Sequence, residues 1–174
     1  MIDYPILETK RLLLRELTLQ DSELVFRHFS QPKVTRFMDI EPCRDITEAN
    51  EIIQYHMDDA GCRYGLFHKE NNEFVGTCGF HCWDRGIDSR AEIGFDLSSE
   101  FWGQGLMQEA LVEVLRMGMN IMKLDVIEAT VEQDNVRSQR LLNKMRFIRQ
   151  EELRDNLYYY ILNVKDMEVS QRNI

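Results

Sequence analysis

The chain has 174 residues, of which 44% are hydrophobic and 29% charged, and this length suffices for one domain with a buried core. The formal net charge is −9, spread along the chain, which argues against direct nucleic-acid binding and weakly favours a cationic substrate. The first residues lack a signal peptide's basic and apolar segments, and no apolar run could cross a membrane. We therefore expect residues 1–174 to form a single cytoplasmic domain without a membrane partner.

The first third of the chain predicts one strand followed by helices. Residues 11–17 are rich in leucine and indicate the strand. Thr18 and Asp21 have the spacing of a capping box, in which each side chain bonds the other residue's backbone at a helix start. Further along, Thr47 is expected to cap a second helix.

The rest of the chain adds strands and two helices. Six further segments have the residue pattern of strands: 63–69, 74–83, 91–97, 126–131, 147–153 and 158–164. Helices are expected after the third of these segments and over residues 135–145, and a tight turn at Asp155 and Asn156 joins the last two strands. These elements predict an α+β domain with about seven strands in a mixed sheet and helices on its faces.

Cysteine and histidine residues give no metal-binding pattern. In the cytoplasm the four cysteines are expected to be reduced thiols: Cys43, Cys62, Cys78 and Cys82. Cys78 and Cys82 share one strand face, roughly 13 Å apart and too far to share an ion, while His81 lies on the other. The scattered histidines, including His28, are expected to be solvated or structural, and we expect no metal.

Residues 91–119 combine a strand, a turn and a long helix. Ile93 and Phe95 share one strand face, with Glu92 on the other, and apolar residues three and four apart indicate the helix. Gly103 and Gly105 in the turn let backbone N–H groups converge beside the positive end of the helix dipole. Such an entry binds anions such as pyrophosphate, although the same glycines also suit a plain tight turn.

Three polar residues are candidates for chemistry, each with a structural alternative. Ser138 shares a helix face with Leu142, so its hydroxyl either bonds to the preceding turn or faces a cleft. Asn135 suits the N-cap of the same helix. Glu92 can accept a proton from an ammonium group, or it is a surface carboxylate paired with a neighbour such as Arg90.

Three blocks of the chain are similar to one enzyme family. The first is LETKRLLLR at residues 7–15, followed by Asp21 and by SQPKVTRFMD at residues 30–39. The second is EIGFDLSSEFWGQGLMQEAL at residues 92–111, and the third is NVRSQRLLNKMRF at residues 135–147. With these blocks the chain resembles the GNAT superfamily of N-acetyltransferases, in particular its ribosomal-protein N-terminal acetyltransferase branch.

The resemblance implies a fold and a place for acetyl-CoA as co-substrate. The fold is a mostly antiparallel central sheet with helices on both faces and a splayed parallel strand pair, where the pantetheine arm inserts beside residues 92–97. Backbone N–H groups of residues 102–107 would bind the phosphates. The implied cofactor-binding residues are Phe95, Leu97, Trp102, Gly103, Gln104, Gly105, Leu106, Met107 and Asn135.

The resemblance also implies catalytic roles. An amine arrives protonated, so a proton must leave before the nitrogen attacks the thioester. Glu92 matches the strand position that often serves as general base, here through water. Ser138 would lie near the thioester sulfur and give a proton to the departing thiolate, and a strand N–H near Phe95 would stabilise the oxyanion.

The chain departs from the family pattern at three positions. Met107 stands where the family has a small residue, and it crowds the anion-binding turn. Leu142 stands where many members have a tyrosine acid, which leaves that role to Ser138 or to no residue. Arg146 replaces a helix-ending glycine, and a left-handed backbone there would cost about 1 kcal/mol.

We therefore expect an acetyl-CoA-dependent N-acetyltransferase that acts on a primary amine. The acceptor is a protein N-terminal α-amino group, such as that of a ribosomal protein, or a small cationic amine such as a polyamine. The alternative from another class is a catalytically weak acetyl-CoA-binding or sensor domain. We expect no direct contact with nucleic acid, and a monomer or a homodimer.

Overall fold

The structure is a computed structural model that describes residues 3–166. The strands are β1 (Leu7–Glu8), β2 (Leu12–Glu16), β3 (Cys62–His68), β4 (Phe74–Asp84), β5 (Arg90–Leu97), β6 (Val126–Val131), β7 (Ile148–Arg154) and β8 (Leu157–Asn163). The helices are α1 (Ser22–Phe29), α2 (Pro32–Thr35), α3 (Ile46–Asp58), α4 (Leu106–Asn120) and α5 (Val136–Lys144). None of these helices is long and apolar enough to cross a membrane.

Within residues 3–166 the strands form one eight-stranded sheet in the order β1-β2-β3-β4-β5-β6-β8-β7. Neighbouring strands are antiparallel except β5 and β6, which run parallel because α4 returns the chain between them. The predicted α+β class, with a mostly antiparallel sheet and one parallel pair, is confirmed. The strand missing from the prediction is β1, whose two residues are too few for a recognisable pattern.

The start of α1 follows the predicted capping box. Thr18 Oγ1 accepts a hydrogen bond from the Gln20 N–H at 3.3 Å, and Asp21 Oδ2 accepts one from the Thr18 N–H at 2.9 Å. Arg15 binds both carboxylate oxygens of Asp21, at 2.7 and 2.9 Å. The chain is thereby fixed where it leaves the sheet and enters α1.

Two local predictions are wrong. Asp45, not Thr47, caps α3, because its Oδ1 accepts the Glu48 N–H at 3.1 Å and the helix begins one residue before Thr47. Cys78 and Cys82 do not share a strand face: Cys82 has a φ of +51°, the register with β5 shifts beside it, and it is exposed while Cys78 is buried.

Two apolar clusters pack on opposite faces of the sheet. Leu66 belongs to the larger cluster, which contains the apolar side of α4, and its neighbour Phe67 belongs to the smaller one, which α1 and α3 cover. Successive strand residues point to opposite faces, so helices lie on both faces, as predicted. Ile93 belongs to the larger cluster, and therefore Glu92 and Asp96 point to the face of α1 and α3.

β5 and β6 separate after a short paired stretch. The parallel register joins Arg90, Ala91 and Glu92 to β6 and stops there, whereas pairing with β4 continues to Leu97. In the part of the chain that the structure describes, the backbone of Ile93–Leu97 thus has no strand partner on the β6 side. Such an open edge can exchange hydrogen bonds with a ligand.

Candidate active site

A cleft of about 790 Å³ opens where β5 ends. One wall is formed by α2 and the residues after it, from Lys33 to Met38, and another by α5 and the two residues before it. Between them lie the end of β5, the glycine-containing turn and the start of α4. The open edge of β5 and the N-terminus of α4 therefore border the same space.

The glycine-containing turn has the conformation that the sequence requires. Gly103 and Gly105 have φ values of +76° and +77°, which glycine adopts without the steric penalty that other residues meet. Gly105 directly precedes α4, so free N–H groups at the helix start face the cleft. The turn is anchored on both sides, because Trp102 Nε1 donates to the Leu97 carbonyl at 2.8 Å and Arg11 Nη2 donates to the Gln104 carbonyl at 3.0 Å.

Cationic side chains surround the cleft although the chain as a whole is acidic. They come from α2, the residue after it and α5: Lys33, Arg36, Arg137, Arg140 and Lys144. The guanidinium of Arg137 lies 3.7 Å from the centre of the Trp102 ring, within cation–π distance. Together with the helix N-terminus, these charges make the cleft suited to a polyanion with several phosphates.

Most of the predicted site residues lie together. The cleft is lined by Phe95, Leu97, Trp102, Gly103, Gly105, Leu106, Met107, Asn135 and Ser138. Two predicted residues do not line it. Gln104 directs its side-chain amide to the Glu100 carbonyl at 3.1 Å, and Glu92 lies earlier on β5, where the strand is still paired to β6.

Asn135 and Ser138 form the start of α5. The Asn135 side chain accepts the Ser138 N–H at 3.2 Å, which is the N-cap expected from the sequence. Both residues border the cleft as well, so the cap fixes the backbone of Ser138 at the cleft wall. Leu142 is fully buried and offers no acid at its position.

Met107 and Arg146 occupy the positions where the chain departs from the family pattern. Met107 is only 7% exposed and packs into the larger apolar cluster, so most of its side chain lies in the core rather than across the turn. Arg146 follows the C-terminus of α5 with a φ of +67°. The backbone is therefore left-handed at Arg146, as expected for a position where the family pattern has a helix-ending glycine.

Glu92 lies in a polar, half-buried environment on the face of α1 and α3. Its Oε1 accepts a hydrogen bond from Thr130 Oγ1 at 2.5 Å, and its Oε2 is 3.8 Å from Nε2 of His81, the opposing residue on β4. The side chain is 20% exposed. The alternative pairing with Arg90 is wrong, because Arg90 lies 3.4 Å from Glu128 instead.

Two neighbours of Glu92 have shifted pKa values. Burial lowers the pKa of His81, against the opposing effect of the Glu92 carboxylate, so the imidazole is neutral near neutral pH. Burial raises the pKa of Glu128, but the hydroxyl of Tyr159 and the guanidinium of Arg154 outweigh it and leave the pKa below its usual value. Glu128 is thus a charged carboxylate with its own partners, whereas Glu92 has no cationic partner this close in the described residues.

A buried polar network beside the cleft was missed by sequence reasoning. It consists of His28, Arg63, Thr77, Asp96 and Ser98, whose side chains are joined by hydrogen bonds. The available signals were a carboxylate between Phe95 and Leu97 and a histidine on the buried face of α1. Neither signal names its partner, because these residues come from distant parts of the chain.

Among residues 3–166, no group of three or more histidine, cysteine or acidic side chains could hold a metal ion.

Residues 11–148 match the family model described as an acetyltransferase (GNAT) domain. The chain belongs to the GNAT family of acetyltransferases. It is therefore an acetyl-CoA-dependent acyltransferase.

Curated relatives of this GNAT protein are also N-acetyltransferases. The chain is 38% identical over 159 residues to the uncharacterized N-acetyltransferase YoaA of Bacillus subtilis, covering 89% of each chain. It is 26% identical over 140 residues to the [ribosomal protein uS5]-alanine N-acetyltransferase of Escherichia coli, covering 75% of this chain and 69% of the relative.

A solved structure of the same fold carries ligands. The spermidine N-acetyltransferase of Vibrio cholerae, in complex with CoA and spermine, superimposes with a TM-score of 0.76 at 19% identity, over 89% of this chain and 96% of that one. At this level of identity the likeness establishes the fold alone.

Proposed function

We propose that this acetyltransferase moves the acetyl group of acetyl-CoA to the α-amino group of a protein N-terminus, and that residues 1–174 act as one catalytic domain. One observation carries the proposal: Glu92 is the last residue of β5 paired to β6, and the open edge of the strand begins directly after it. Phe95, on the cleft, follows three residues later, or about 10 Å along the strand. An acceptor amine and one water molecule can bridge that distance.

The cleft fits acetyl-CoA by the chemistry of its donors. The open edge of β5 offers amide groups to the pantetheine arm, and the N-terminus of α4 with Gly103 and Gly105 offers N–H groups to the pyrophosphate. The surrounding cations suit the same phosphates. When bound, acetyl-CoA supplies the activated acyl group.

The roles of the chain's own residues follow from their positions. Glu92 accepts the proton of the ammonium through water, which frees the nitrogen lone pair. The Phe95 N–H lies on the open edge, where it can donate to the developing oxyanion. Ser138, held at the cleft wall by Asn135, is the proposed proton donor to the leaving thiolate. Holding both substrates in line contributes more than either proton transfer.

The choice of acceptor has two sources of support. An α-amino group has a reference pKa of about 7.7–8.0, against about 10.4 for lysine, so a larger fraction of it is already deprotonated near neutral pH. The relative that acts on ribosomal protein uS5 alanine is named for such a group. A polyamine is the second candidate, favoured by the net charge of −9 and by the spermidine N-acetyltransferase of the same fold.

The test is CoA release measured with a thiol reagent over a panel of amines. The panel contains a peptide with a free N-terminal alanine, the same peptide with a blocked N-terminus and one internal lysine, and spermidine. The proposal requires the highest kcat/KM with the free N-terminus. A preference for spermidine would support the second candidate, whereas tight acetyl-CoA binding without turnover of any amine would indicate a sensor.

A further inference from the structure

The polar network beside the cleft is centred on one carboxylate. Asp96 is only 7% exposed, and its Oδ1 lies 2.5 Å from His28 Nε2 and accepts the Thr77 N–H at 3.1 Å. Its Oδ2 accepts hydrogen bonds from Thr77 Oγ1 at 2.5 Å and from Arg63 Nη2 at 2.8 Å. His28 Nδ1 in turn lies 2.8 Å from Ser98 Oγ. We refer to these five residues as the Asp96 network.

The Asp96 network connects the α2 wall of the cleft to the open half of β5. His28 lies on α1, and α2, whose residues form one wall, follows within three residues of the end of α1. Asp96 lies on the half of β5 that has lost its pairing with β6, and Ser98 begins the chain toward the glycine-containing turn. Arg63 and Thr77 anchor the carboxylate to the middle of the sheet, on β3 and β4.

Gly94 provides the space that the Asp96 network needs. It lies between Glu92 and Asp96 on the same strand face, and a Cβ atom there would be 2.3 Å from Arg63 Nη1. The guanidinium of Arg63 therefore lies over Gly94, where a side chain is absent, and from there its Nη2 reaches Asp96. The glycine of the EIGFD segment thus has a packing reason in addition to any conformational one.

Burying such a network costs free energy of folding, so stability alone is a poor explanation for its presence. Apolar side chains of the same volume are often as stabilising as a buried ion pair, or more so. The network lies, however, where β5 has backbone hydrogen bonds on one side only. A ligand that binds the open edge of β5 there also requires that edge to lie at a fixed distance from α2. Resting on the function proposed above, we propose that the Asp96 network positions the open half of β5 and the α2 wall for acetyl-CoA, so that His28, Thr77 and Asp96 are positioning residues.

The experiment compares two variants at Thr77, of which valine keeps the shape of threonine and serine keeps its hydroxyl. Thr77→Val removes the hydroxyl that binds Asp96, whereas Thr77→Ser keeps it. We expect Thr77→Val to raise the dissociation constant of CoA in calorimetry, and the KM for acetyl-CoA, by about tenfold, with kcat at saturation and the KM of the amine little changed. Thr77→Ser should keep both constants at the wild-type values. His28→Gln should act in the same direction as Thr77→Val.

Asp21→Asn is the matched control for stability. Asp21 is a buried carboxylate with an arginine partner and a capping role, but it does not border the cleft. Asp21→Asn should lower the unfolding temperature and leave CoA binding unchanged. The inference is overturned if Thr77→Val and His28→Gln bind CoA like the wild type, or if Asp21→Asn weakens binding as much as they do. Absence of CoA binding by the wild-type chain would instead overturn the proposed function.

Discussion

The two halves of β5 are held in place by different forces. Arg90–Glu92 has backbone partners on both sides, β4 and β6, whereas Ile93–Leu97 has them on the β4 side alone. The second half is held in addition by side chains, through Asp96 and through the bond from Trp102 Nε1 to the Leu97 carbonyl.

This difference separates proton transfer from co-substrate binding along one strand. The paired half carries Glu92, the proposed proton acceptor, and the open half is the edge proposed for the co-substrate. A change in the first half should therefore affect turnover, and a change in the second half should affect stability or acetyl-CoA affinity.

Glu92→Gln has the largest expected effect on activity. The amide keeps the size of the side chain but cannot accept the proton of the ammonium, so we expect kcat to fall by about 100-fold. The loss should be greatest at low pH and smaller at high pH, where more of the amine is already deprotonated. Steady-state kinetics from pH 6 to about 9.5 measures it, and the KM for acetyl-CoA should not change.

Glu128→Gln is the matched control for Glu92→Gln. Glu128 lies opposite Glu92 in the parallel register, but it is bound by the hydroxyl of Tyr159 and lies near Arg154. The kcat of Glu128→Gln should fall far less than the kcat of Glu92→Gln, and its pH profile should match that of the wild type. Equal losses in both variants, or a Glu92→Gln profile parallel to the wild type, would exclude Glu92 as the proton acceptor.

Asp96→Asn should change how stability depends on pH. Burial raises the pKa of Asp96, but the interactions with His28, the Arg63 guanidinium and the Thr77 hydroxyl outweigh it, so the folded pKa lies well below its usual value. The Asp96 carboxylate takes up a proton near pH 3.9 in the unfolded chain and only at lower pH in the folded chain. The charged carboxylate therefore stabilises the folded chain by about 2 kcal/mol near neutral pH, and this stabilisation is lost as the pH falls below about 4.

Urea unfolding at several pH values between 7 and 3 measures this effect. Asp96→Asn should be less stable than the wild type at pH 7, and the difference should narrow as the pH falls. A difference that stays constant over this range would mean that Asp96 contributes through shape alone.

The sequence predicted the parts of the fold and site that depend on local patterns. Alternating strands, the capping box at Thr18 and the glycines at 103 and 105 each carry their signal within a few residues, and the structure agrees with them. The Asp96 network did not follow from the sequence, because its partners lie 19 to 68 residues from Asp96. The surroundings of Glu92 were missed for the same reason, since Thr130 and His81 lie on other strands.

Gly105→Ala tests the binding side of the comparison. With a φ of +77°, alanine would cost about 1–2 kcal/mol of stability, and its methyl group would stand at the helix N-terminus proposed for the phosphates. We expect the KM for acetyl-CoA to rise about tenfold with little change in kcat. Urea unfolding of Gly105→Ala measures the backbone cost separately from the change in KM.

Arg146→Gly has the smallest expected effect and touches neither half of β5. Arg146 has a φ of +67° after the end of α5. Relief of the strain in this left-handed backbone should outweigh the cost of the extra conformational freedom that glycine has in the unfolded chain. We therefore expect the free energy of unfolding to rise by about 0.5 kcal/mol. Asn72→Gly is its control: with a φ of +56° it should gain less, because asparagine tolerates the left-handed region. Urea unfolding of both variants measures the gains. If Arg146→Gly also changed kcat or the KM for acetyl-CoA, the end of α5 would be coupled to the cleft, and stability and function would not separate at β5 alone.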